Sequence, residues 1–399
     1  VIKRGPALLV YCWCIPVLLL LISCVATSSP PHPIAATWLA AGPDAGGWPM
    51  FGHDAAHTGL YPTAGPWPAL NGRIAWQRDS GGAIFSAPVL ADDILYVGST
   101  SGSLFALDAQ TGAIRWQHAI GQFLNDATPV VAGRVVFVGA NRTWIEALDA
   151  TDGQQLWAAN LGETIKAPPT YADGLVLVNA TTTTYALNAR TGAVRWRFHE
   201  KGSGWPTQAA PAVWGQIVYI AQGTTPILYA LDLLTGRQIW SYNVGDRLIS
   251  SPLITGRDVV IGTWNGLVEA LDATTGALRW RYNVNQARKP GAPEDGIGSS
   301  LAAADGLIFV GTYNGSVLAI STTGGRLRWV HTIASPVLNV PAIAGSTLYV
   351  GGGAALYALA VVNGALLWHL SLGEIRNGLA LGPGRLYAAT VQGYIYAVD

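Results

Sequence analysis

From residue 86 onward, apolar and polar positions alternate in short runs bounded by Gly, Asp or Asn. Ile94-Leu95-Tyr96-Val97-Gly98 is one such run and Ser103-Leu104-Phe105-Ala106-Leu107 the next. Alternation over four to six residues between turn formers predicts β-strands joined by hairpins. A small-residue stretch with proline, such as Ser86-Ala87-Pro88-Val89, precedes each pair of runs, and a fourth run carrying a Trp follows it. No stretch shows a helical period.

The four-run unit repeats. Leu107-Asp108-Ala109-Gln110-Thr111-Gly112-Ala113-Ile114-Arg115-Trp116 returns at Leu148 to Trp157, Leu187 to Trp196, Leu231 to Trp240 and Leu271 to Trp280, and in weaker form ending at Trp329 and Trp368. The series begins at Trp76, and its Trp spacings are 40, 41, 39, 44, 40, 49 and 39. Within the Asp-Ala-x-Thr-Gly corner, Asp can accept from nearby backbone N–H groups and Gly can supply a positive φ. Asn265-Gly266 and Asn314-Gly315 read as two-residue hairpin turns.

A period near 40 with four strands per unit predicts an all-β, eight-bladed β-propeller of four-stranded blades. First strands are expected near Ser86, Ala127, Ala167, Ala209, Ser250, Ser299, Asn339 and Asn377. The last unit lacks a Trp strand, whereas Arg73 to Arg78 is a Trp strand without a unit. The N-terminal strand is therefore expected to complete the blade of Asn377 to Val398, removing an open sheet edge.

Ahead of the repeats, Lys3 and Arg4 precede an apolar stretch, Ala7 to Ile22, that ends Leu21-Ile22-Ser23-Cys24. This is the layout of a secretory signal, and its end resembles a bacterial lipobox with Cys24 as the lipidated residue. An uncleaved membrane helix is the alternative, and Pro16 would break it. The domains expected are a signal peptide with lipobox (1–24), a Pro/Ser/Ala-rich tether (25–47) and the propeller (48–399). The location expected is extracytoplasmic, at the cell or outer membrane.

Composition narrows the chemistry. Lys plus Arg and Asp plus Glu are 23 each, so no basic face for nucleic acid is expected. All three cysteines, Cys12, Cys14 and Cys24, lie in the leader. A disulfide framework, a Cys-ligated metal or a Cys nucleophile is thereby excluded from the body. No phosphate loop or nucleophile elbow is present. His53 and His57 are four apart, but in a segment without helical character.

The Ala-Leu-Asp-Ala-x-Thr-Gly-x-x-x-Trp unit resembles the pyrroloquinoline quinone (PQQ) enzyme repeat. So does the lead-in Trp48-Pro49-Met50-Phe51-Gly52-His53-Asp54 with His57-Thr58-Gly59. The resemblance covers about residues 48–399. It implies that Trp76, Trp116, Trp157, Trp196, Trp240, Trp280, Trp329 and Trp368 dock between neighbouring blades. Quinoprotein dehydrogenases using PQQ and calcium share the repeat. So do non-catalytic propellers, including the lipoprotein of the outer-membrane β-barrel assembly machinery. The dehydrogenase group's metal-binding Glu and Asn and its catalytic Asp match no motif here, so no catalytic residue, metal or cofactor is assigned.

The function expected is that of a non-catalytic, membrane-tethered scaffold, monomeric and partnered with cell-envelope proteins. The alternatives are a PQQ-dependent dehydrogenase and a carbohydrate-binding or sensor module using Trp144, Trp205, Trp214 or Trp264. Two regions are candidates for the partner face. One comprises long connections carrying Lys201, Trp205, Arg288 and Lys289. The other is a ring at the channel, counted two residues before each strand-one proline. It comprises Ser86, Ala127, Lys166, Ala209, Ser250, Ser299, Asn339 and Asn377, with Asp126, Gln208 and Arg376 one position earlier. Lys166 is the cation of this ring, with Asp126 its expected alternative pair.

Overall fold

In the computed structural model, residues 34–39, 47–63, 67–121, 128–165, 167–199, 208–221, 226–248, 250–287, 294–333 and 335–399 are described. They form eight four-stranded antiparallel blades, as the repeat predicts, one of which carries a fifth, parallel strand. The first strands of blades 1 to 8 are Val89–Ala91, Val130–Ala132, Thr170–Ala172, Ala212–Trp214, Leu253–Thr255, Ala302–Ala304, Ala342–Ala344 and Leu379–Gly382. Ile74–Asp79 pairs antiparallel with Tyr394–Val398, so the N-terminal strand closes blade 8.

Alternation explains the burial. The second and third strands of each blade are covered on both faces by neighbouring blades, and the fourth alternates exposed and buried positions. The core is thus a series of apolar layers between blades, not one central mass.

Each layer is locked by the repeated Trp. All eight indole N–H groups donate to a backbone carbonyl of the next blade in the ring, at 2.7–3.0 Å: Trp76 to Ala109, Trp116 to Ala150, Trp157 to Ala189, Trp196 to Leu233, Trp240 to Ala273, Trp280 to Thr322, Trp329 to Val361 and Trp368 to Leu70. A buried aromatic with a satisfied polar end joins area burial to orientation. The corner Gly lies against the same ring. Gly153 has φ +75°, and a Cβ there would stand 2.6 Å from the Trp116 indole.

The asparagine-glycine hairpins differ from the two-residue turns read from sequence. Thr263 N–H bonds Leu267 O and Gly266 N–H bonds Thr263 O, and Thr312, Ser316 and Gly315 repeat the pattern. These are three-residue loops, with Gly266 and Gly315 at φ +84° and +82° after the turn.

The lead-in segment has a path that no periodicity encodes. It runs as a belt around the inner strands, at the end of the ring that carries the strand one–two turns. Backbone carbonyls of Trp48, Pro49, Ala55, Ala56, Thr58 and Gly59 accept from Leu90, Val131, Val213, Ile254, Ala303 and Ile343 at 2.7–2.9 Å. Leu60–Tyr61 then pairs parallel with the inner strand of blade 7. Phe51 is buried with Ala87, Ala210 and Val340, which precede the first strands of blades 1, 4 and 7. Within the stretch read as a tether, Ala36–Leu39 is a helical turn, and Ile34 is buried, with its N–H bonded to Arg190 O.

Candidate functional site

The belt blocks one end of the channel, and the other end is a cup of about 160 Å³ with Phe51 among its lining residues. Thr128, Gln208, Ser299, Ser300 and Asn377 supply its hydroxyls and amides, and Arg247, Trp264 and Tyr313 stand at its mouth.

The mouth is built by two equivalent hairpins. Thr263-Trp264-Asn265-Gly266 of blade 5 and Thr312-Tyr313-Asn314-Gly315 of blade 6 have the same turn geometry. The aromatic therefore occupies the first loop position in both. Adjacent blades bring the rings to 5.0 Å between centroids, tilted 54°. Trp264 N–H bonds Arg247 O, which holds the Arg247 guanidinium 5.1 Å from the indole centroid. Trp264 is 43% exposed although it is among the largest apolar side chains. Arg247 makes no ion pair with a described residue. Burial pushes the Tyr313 phenol pKa up, against the pull of Arg247 and Arg376.

Several ring candidates are corrected by this geometry. Asn339 is wholly buried, its Oδ1 accepting from Gly351 N–H. Ser86, Ser250 and Ser299 accept in the same way from Gly98, Gly262 and Gly311. These side chains tie strand one to strand two of their own blade, so Asn339 has no free face for a partner. Counting from Pro168 puts Lys166 in the ring. Strand one of blade 3, however, starts at Thr170, directly after Pro169, as Val89 follows Pro88. The equivalent position is Ala167, and the paired prolines cause the slip.

Gln208 and Asn377 do line the cup, and exposed Arg376 pairs with Glu374 at 2.7 Å. Cys24, Asp126, Lys166, Lys201, Trp205, Arg288 and Lys289 lie outside the described residues. The aromatics weighed for sugar binding do not converge: Trp144 and Trp214 pack into separate interblade layers. Arg247 and Tyr313 do not stand out in the sequence by themselves. The signal available is Thr-aromatic-Asn-Gly occurring in two successive repeats.

Eight blades, an interblade Trp in each and the Asp-Ala-x-Thr-Gly corners define a PQQ-like repeat β-propeller. Residues 67–157, 124–263 and 264–399 match the family of the outer membrane protein assembly factor BamB, and the chain belongs to that family. BamB of Shewanella oneidensis is 24% identical over 236 residues, covering 54% of this chain and 58% of that protein. The serine/threonine-protein kinase AfsK of Streptomyces griseus is 35% identical over 129 residues, covering 30% of this chain and 16% of the kinase. The chain thus spans less than two thirds of either relative. The quinohemoprotein alcohol dehydrogenase structure from Comamonas testosteroni superposes with a TM-score of 0.76 at 16% identity, over 92% of this chain and 82% of that one. At that identity the likeness concerns the fold alone.

Proposed function

We propose that this protein is a non-catalytic scaffold of the cell envelope, exported and anchored through Cys24, that binds another protein at the channel mouth. The observation that supports this best is the Arg247–Trp264–Tyr313 cluster. Trp, Tyr and Arg are the residue types that dominate interface energetics. Here Trp264 and Tyr313 stand at a rim on two adjacent hairpins, with Arg247 beside the indole. Membership of the BamB family adds outer membrane protein assembly as the setting.

The dehydrogenase reading draws on the likeness to the quinohemoprotein fold. A quinone with calcium does not fit the described residues. The cup is about 160 Å³, below the ~300–1,000 Å³ usual for such ligands. Its described lining holds no carboxylate for a calcium ion, which takes oxygen ligands with carboxylates prominent.

The test is capture of cross-linked envelope proteins by the full chain and by Trp264→Ala and Arg247→Ala. A partner retained by wild type and lost from both variants, with their unfolding curves unchanged, supports the reading. Equal capture by all three rejects the mouth as the binding face. A parallel titration with PQQ and calcium, read by Trp fluorescence and dye-linked alcohol oxidation, addresses the enzyme. Saturable binding with turnover overturns the scaffold.

A further inference from the structure

The belt bonds the inner strands of six blades and misses blades 3 and 8. At blade 8 the unbonded position, Leu381, is wholly buried. At blade 3 it is different. Between Pro49, which bonds blade 2, and Ala55, which bonds blade 4, the belt leaves the inner strands through buried Phe51, Gly52 and His53, the last two at positive φ, with the His53 ring against Trp48 and Tyr61. Tyr171 occupies the register of Leu90, Val131 and Val213. Those three N–H groups reach a belt carbonyl, while Tyr171 N–H and C=O have no partner among the described residues.

In front of Tyr171 lies a cavity of about 370 Å³, walled by Leu39, Met50, Val131 and Val213. Its volume falls within the usual range of binding sites. Asp92 and Asp173 stand exposed beside it, Asp54 lines its wall, and no Lys or Arg among the described residues does. Asp173 already accepts from Gln216 at 3.0 Å, which leaves a second carboxylate oxygen for another donor.

We infer that this gap is a docking site for an extended peptide segment of a partner protein, carrying a Lys or Arg flanked by apolar residues. The segment's carbonyl takes the Tyr171 N–H, as the belt's carbonyls do at six other blades. An apolar side chain fills the cavity, and the basic one lies against Asp173. Main-chain pairing supplies affinity and the pocket with its acidic rim supplies selection, the division of labour in strand addition. The site is on the opposite face from the channel mouth, so it stands or falls independently of the function proposed above.

The test uses the full chain with 15N-labelled tyrosine and valine, the Tyr171 amide being assigned by its loss from the tyrosine set in Tyr171→Phe. The probe is acetyl-Ala-Leu-Lys-Leu-Ala-amide, with the Glu-for-Lys peptide as control. The Tyr171 amide is expected to move saturably, with a midpoint of about 1 mM, and to respond about tenfold more weakly to the Glu peptide. Asp173→Asn is expected to weaken binding of the Lys peptide about two- to fivefold, the scale of an exposed ion pair. In the free chain, the Tyr171 amide should exchange with deuterium faster than those of Val131 and Val213. Protection equal to theirs would show the gap filled by the chain itself and overturn the inference. So would the absence of a saturable shift up to about 10 mM peptide, or equal response to both peptides.

Discussion

Gly153 and Trp116 show why the corner glycine recurs. The residue needs a positive φ, which costs an L-residue roughly 1–2 kcal/mol, and it also needs to have no Cβ, because the indole of the preceding blade lies where one would be. The two causes can be separated. Gly162 has φ +74°, and a Cβ there would meet nothing within 4 Å. Gly162→Ala is expected to cost the conformational term alone. Gly153→Ala is expected to cost about 1–3 kcal/mol more, the scale of overpacking. Urea unfolding of the two variants measures the difference, and equal losses would remove the indole from the explanation. In the sequence, the Gly and the Trp are each readable with a reason. That they touch across blades is not, because they belong to different repeats.

Among elements, the belt depends on its own turn. Asp54 accepts from Ala56 N–H, Thr58 N–H and the Thr58 hydroxyl at 2.6–3.1 Å. Burial acts to raise its pKa, but hydrogen bonds from His53 and Thr58 hold it below the ordinary value of 3.8. Its stabilising contribution is therefore full above that value and is lost as pH falls through the lower folded value. Asp54→Ala is expected to cost about 1–3 kcal/mol by leaving donors unpaired, read as a lower thermal midpoint at pH 7. His57 carries the opposite charge logic. Its Nδ1 lies 3.0 Å from Pro252 O, its Nε2 has no partner among the described residues, and burial lowers its pKa from 6.5. The unfolded chain binds the proton more readily, so stability is full above 6.5 and declines as pH falls below it. The decline is expected to approach, at most, about 1.4 kcal/mol per pH unit. His57→Gln should flatten the wild-type slope between those limits, and an unchanged slope would place the titration elsewhere. The belt's route is illegible in sequence because its bonds use backbone carbonyls, which any residue supplies. The hairpin pair is legible only in part. Trp264 stands out as an aromatic, but its contact with Tyr313 depends on two loops taking the same register across the long 49-residue spacing.

For the molecule as a whole, closure matters more than any blade. Eight-fold repetition is plain from Trp spacing, and the missing and surplus strands announce how the ring joins. Removing residues 394–399 is expected to strip Ile74–Asp79 of its partner and leave sheet edges unpaired in blade 8. Such edges template association. The truncated chain should therefore run as oligomers by light scattering, while a monomer as stable as wild type would show that closure is dispensable.

The same join sets the order in which the chain can finish folding. Trp76 meets Ala397, and Gly59 meets Ile343, so an early segment waits for partners made several hundred residues later. Loop closure over such separations is slow relative to local hairpins. While the ribosome is still adding blades, those already made can form hairpins but cannot be sealed into a ring. The growing chain stays open along one edge until the last strand arrives, and that interval is when a holding chaperone would matter most.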